Sequence, residues 1–135
     1  IWIRDRHRLR NRRRLGLHHP NFRMAYIYKI FHESEWQALQ STGQTAGAPL
    51  DIADGFVHFS TGEQVAETAA KHFAGIADLM LLAIDAEYLG DDLKWEPSRG
   101  GALFPHLYRN LQLDEVLWAK TFPLDDGVHV LPDGV

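Results

Sequence analysis

The chain contains no cysteine, which excludes disulfides, thiolate nucleophiles and cysteine-bound zinc, and with them any thiol redox role. No apolar run reaches the roughly 18 residues that cross a bilayer as a helix. The basic N-terminal stretch is not followed by an apolar one, so it does not read as a secretory signal. A P-loop, a dinucleotide-binding glycine fingerprint, a GxSxG elbow and an HExxH pair are all missing. The expectation from these absences is a soluble, cytoplasmic protein with no membrane partner.

The 135 residues are 45% apolar, enough for one ordinary core. The net charge of −4 divides unevenly along the chain. Residues 1–23 carry eight arginines and one aspartate, a balance of +7, and residues 24–135 carry six Lys/Arg and seventeen Asp/Glu, a balance of −11. An acidic body argues against a nucleic-acid partner. The arginine segment has low complexity and no periodicity. It reads either as an arm for acidic partners or, preferably, as sequence upstream of the true start or an expression remnant. A single domain is expected over 24–135.

Within that domain "AYIYKIF" (25–31) is aromatic and β-branched and predicts a first strand. "SEWQALQSTG" predicts a helix, opened by a Ser34/Gln37 capping box and stopped by Gly43. "QTAGAPLDIADG" has turn formers at both ends and predicts a loop. "FVHFS" (56–60) predicts a second strand, followed by a helix to Phe73 that Ser60 or Thr61 would cap, with Glu63 and Gln64 completing either box. "LMLLAI" (79–84) predicts a central buried strand, "DLKWE" a strand end, "PSRGGALFPHLYRNL" a long irregular connection, and "EVLWAKTF" (115–122) a late strand. "GVHVLP" predicts a short edge piece. The fold class is α+β, with two early helices packed on two small, mostly antiparallel sheets that form a cleft.

Two stretches concentrate chemistry. In "FVHFSTGEQV", His58 and Ser60 project to one face of a strand that ends at a helix N-terminus, a setting that favours anions. A helix cap alone explains the same hydroxyls. In "LFPHLYRNL", Phe104, His106, Tyr108 and Arg109 share a Gly/Pro-flanked segment. Phe104 and Tyr108 plugging the core would explain that stretch equally. Glu96 follows Trp95, an apolar neighbour that raises a carboxyl pKa. His58, His106 and Glu96 have no metal-diagnostic spacing, so no metal site is expected. If the two histidines face one pocket, they gain a shared role; on opposite sides of the core they are structural.

The motifs "IYKI", "GFVHFSTGEQV", "LLAID", "LKWE" and "LFPHLY" run in order across 24–123. The chain resembles the bacterial and plant family termed domain of unknown function 952, and more remotely the ADP-ribosyltransferase fold. That resemblance implies a cleft for NAD or an ADP-ribose compound. Lys29 occupies the first-strand position and His58 to Thr61 the second motif. Glu96 or Glu115 would be the acid stabilising an oxocarbenium-like transition state. Catalytic candidates are therefore His58, Glu96 and His106. The ligand-binding candidates are Lys29, Ser60, Thr61, Gln64, Phe104, Tyr108 and Arg109. The expected partner is a nucleotide-like or phosphorylated small molecule, with NAD the candidate cofactor; a non-catalytic binding or protein-interaction domain is the alternative. The sequence leaves the oligomeric state open.

Overall fold

The computed structural model describes residues 25–135, and the expectations for residues 1–23 lie outside them. In chain order the elements are β1 (Tyr26–His32), α1 (Glu33–Thr42), β2 (Gln44–Thr45), α2 (Pro49–Asp54), β3 (Val57–His58), β4 (Ser60–Thr61) and α3 (Val65–His72). They continue with β5 (Leu79–Asp85), β6 (Leu93–Pro97), β7 (Leu103–Leu107), β8 (Leu111–Gln112), β9 (Val116–Thr121), β10 (Leu124–Asp125) and β11 (Val128–His129). This is a small α+β domain.

The continuous apolar run 79–85 forms β5, buried at every position and therefore central. It pairs antiparallel with β1 from Tyr26↔Asp85 to His32↔Leu79 and with β9 on its other side. The four-stranded order is β4-β1-β5-β9. Because side chains alternate faces, this sheet feeds two cores. Ile27, Phe31, Leu82 and Ile84 pack with Leu39 of α1 and with Val57 and Leu107 of a second sheet. Tyr28, Ile30, Leu81 and Ala83 pack with Val65 and Ala69 of α3 and with Phe122. Each fully buried Leu, Ile or Phe contributes about 1.5–3 kcal/mol, so the sandwich holds the elements around it firmly.

The second sheet, ordered β3-β7-β6, is also antiparallel. Its central strand β7 lies in the stretch expected to be irregular. Gly100, Gly101 and Pro105 suggested a loop, yet Pro105 costs the ladder little. Its carbonyl accepts from Phe59 N (2.9 Å) at the point where β3 ends, so its missing N–H faces no continuing strand. The expected loop 44–55 likewise contains α2, started by Pro49 and stopped by Gly55 in the left-handed region. Three α-helices, not two early ones, are thus present among the described residues. Helix α1 begins at Glu33, and Glu35 Oε1 accepts from His32 N (2.8 Å), so the capping box is His32/Glu35, two residues before the expected Ser34/Gln37 box. Gly43 ends it as expected. Among the described residues no helix is long and apolar enough to cross a membrane.

Candidate functional site

"FVHFS" is not one strand. Val57 and His58 pair with β7, whereas Ser60 and Thr61 pair with β1, so the chain changes sheets at buried Phe59. His58 and Ser60 therefore do not share one strand face. At such a crossing the backbone needs replacement partners. Lys29 Nζ supplies one, donating to His58 O (2.9 Å) and also to Asp51 Oδ2 (2.6 Å). Asp51 collects three more donors: Ala48 N (2.7 Å), His58 N (3.0 Å) and His58 Nδ1 (2.6 Å). The Asp51 side chain is only 2% exposed. Burial pushes its carboxyl up, but the His58 hydrogen bonds and the Lys29 charge outweigh burial and hold it at about 2. Burial also lowers Lys29, against the opposing pull of Asp51. Gly47 makes room for this knot: its φ is +102°, and a Cβ there would collide with the Asp51 carboxylate.

His106 stands directly opposite His58 in the β3–β7 register, with ring centroids 5.2 Å apart. Its Nδ1 lies 2.8 Å from Glu96 Oε1, and Tyr108 OH donates to the same oxygen at 2.7 Å. A carboxylate only accepts, so Nδ1 carries the proton and Nε2 is the nitrogen left for another partner. Hydrogen bonds from His106 and then Tyr108 hold Glu96 below its usual range, the opposite of the rise expected from its neighbour Trp95, and the same bond to Glu96 raises Tyr108. Phe56 lies over this group, its ring 4.3 Å from His106, 4.6 Å from His58 and 5.0 Å from Tyr108.

A cleft of about 590 Å³ opens between α3 on one side and β3, β7 and the end of α2 on the other. Of the residues singled out in the sequence, Lys29, His58, Ser60, Gln64, Phe104 and His106 line it. Thr61, Glu96, Tyr108, Arg109 and Glu115 do not. Glu96 and Tyr108 touch the cleft only through His106. Arg109 is a structural pin: its guanidinium grips Glu115 at 3.0 and 2.8 Å and Asp92 at 3.1 Å. Nor do Ser60 and Thr61 cap α3, which begins later, at Val65, without a side-chain cap. Ser60 Oγ instead lies 3.0 Å from Thr68 Oγ1, and Gln64 bridges, accepting from Thr61 N (2.9 Å) and donating to Leu103 O (2.9 Å).

The cleft also contains backbone. Ala86 N bonds Ala25 O and Glu33 N bonds Asp78 O, so the odd-numbered residues of β1 exchange hydrogen bonds with β5. The N–H and C=O of Tyr28 and Ile30 consequently point to the other edge. There β4 pairs with Ile27 and Tyr28 and stops, so Ile30, paired with Leu81 of β5, has no strand partner on its β4 side and lies beside the cleft. Asp51, Asp54, Phe56 and Thr68 were not foreseen as parts of this region. The one sequence signal for Asp51 and Asp54 was the Pro-start, Gly-stop frame of "PLDIADG". Among the described residues no group of three or more His, Cys, Asp or Glu side chains is arranged to hold a metal ion.

A family model described as "Protein of unknown function (DUF952)" matches residues 30–119. The crystal structure of protein CC0527 from Caulobacter crescentus is 56% identical over 78% of this chain and 93% of that one, with a TM-score of 0.75. The solution NMR structure of CC0527 is 57% identical over 76% and 90%, with a TM-score of 0.70. No curated protein matches.

Proposed function

The chain belongs to the DUF952 family of proteins of unknown function, and from that premise we propose that its cleft binds a nucleotide-like small molecule and presents His106 to it as a proton acceptor. The observation that carries this reading is the asymmetry of His106. One ring nitrogen is fixed by Glu96, and the other is left at a cleft wall. A base oriented by a second group is the arrangement that proton transfer requires. Ile30 adds a neighbouring donor and acceptor along one edge, suited to an amide or nucleobase edge, and Phe104 adds a flat apolar surface.

The finer reading is NAD or another ADP-ribose compound. In it Glu96 is a positioning residue for His106 rather than a stabiliser of positive charge on a ribose. Glu115, committed to Arg109, has no part. That neither glutamate lines the cleft favours binding with acid–base chemistry over ribosyl transfer.

The test is a thermal-shift series with NAD, ADP-ribose, AMP and glutathione. A ligand at one hundred times its Kd stabilises the folded state by about 2.7 kcal/mol. ADP-ribose compounds should raise Tm in the wild type and do so less in His106→Gln. No shift with any member of the series would refute the reading.

A further inference from the structure

We propose that His58 Nε2 is the receiving atom for an anionic group of the cleft's ligand, and that Asp54 now fills that position as a built-in stand-in which the ligand displaces. This rests on the reading of the cleft as a small-molecule site.

The two carboxylates beside His58 differ in how firmly they are held. Asp51 is buried, takes four donors and keeps the ring in place through Nδ1. Asp54 lies on the opposite side of the ring, with Oδ2 3.0 Å from Nε2, and its side chain is 43% exposed. That ion pair is its one polar contact among the described residues. Asp54 is also the last residue of α2, immediately before the helix stop at Gly55. A side-chain rotation alone would remove its carboxylate, because nothing else ties it down. Displacing Asp51 would instead leave the donors of Lys29, Ala48 and His58 without their acceptor together.

Both Asp54 and His58 line the cleft, so the oxygen on Nε2 already sits where a ligand oxygen would enter. With Nδ1 donating to Asp51, a proton on Nε2 completes an imidazolium whose second donor meets Asp54 at the cleft wall. An anionic oxygen from a phosphate or a carboxylate satisfies that donor as Asp54 does. The charge of Asp54 meanwhile repels a bound anion, so this residue sets a threshold for anionic ligands and none for neutral ones.

The experiment compares AMP, adenosine-5′-carboxylate and adenosine by calorimetric titration of wild type, Asp54→Ala and Asp54→Asn. Exposed ion pairs are weak, so removing Asp54 should tighten binding of the anions by about threefold or more, with adenosine changed by less than about twofold. The Asn variant, which keeps an acceptor but no charge, should fall between. A gain confined to AMP identifies phosphate as the anion, and one confined to the carboxylate identifies that group. Anion affinities unchanged in Asp54→Ala, or a matching gain for adenosine, would overturn the inference while leaving the cleft reading intact. Failure of all three compounds to bind any of the proteins would overturn both. Histidine ring ¹⁵N spectra with inorganic phosphate give an independent readout, since His58 Nε2 should respond at lower phosphate in Asp54→Ala than in wild type. Equal responses would count against the proposal.

Discussion

Replacing Asp51 with alanine attacks the knot that joins the two sheets. It leaves Lys29, itself 6% exposed, without its carboxylate and removes the acceptor of two backbone N–H groups, Ala48 and His58. Breaking a buried ion pair by removing one partner costs about 3–5 kcal/mol. At about 2 cal/mol/K of unfolding entropy per residue over about 110 ordered residues, that corresponds to a Tm lowered by roughly 14–23 °C. Urea and thermal melts at pH 7 measure it directly. The pH dependence supplies a second arm. The folded carboxyl lies at about 2 against an ordinary 3.8. Its contribution is therefore complete above pH 4 and lost as the pH falls toward 2, about 2 kcal/mol in all. The stability gap between wild type and Asp51→Asn should accordingly narrow across that window. A Tm loss below about 4 °C in Asp51→Ala, equivalent to about 1 kcal/mol, would mean that the network does not hold the crossing.

Other substitutions separate structural pins from cleft residues. Arg109→Met should cost roughly 1–3 kcal/mol in urea melts, because it strips charge-assisted hydrogen bonds from Glu115 and Asp92; it should leave nucleotide affinity unchanged. Gln64→Ala removes two bridging hydrogen bonds and should cost about 1 kcal/mol. Thr61→Val should stay within about 0.5 kcal/mol, since the Thr61 hydroxyl caps nothing; a larger loss would restore the capping role. Tyr108 should ionise above its ordinary value of 10.0, and Glu96→Gln should bring it back down in an ultraviolet pH titration. An unchanged titration would show that the Tyr108–Glu96 bond does not persist in solution.

Elements whose cause is local were legible in the residues. The unbroken run Leu79 to Ile84 is too apolar to lie anywhere but the centre, and β1 follows from its aromatic and β-branched composition. Gly43 stops α1 because the left-handed conformation there suits glycine. Val65 and Ala69 mark the buried face of α3 by their spacing alone. Elements that depend on a distant partner were not legible. Proline and glycine bracket short helices as well as loops, so α2 looked like a loop. Strand β7 looked irregular because the harmlessness of Pro105 depends on where β3 ends.

The site divides in the same way. Its histidines stood out because polar rings in apolar stretches need partners, and that requirement can be read from composition. Which partners they take depends on the β3–β7 register and on the change of sheet at Phe59. These set His58 against His106 and bring Lys29 to Asp51, 22 positions away. Arg109 and Tyr108 are adjacent in sequence, yet one pins Glu115 and the other holds Glu96. Neighbouring side chains in an extended segment leave in opposite directions, so only the packed fold decides which carboxylate each of them meets.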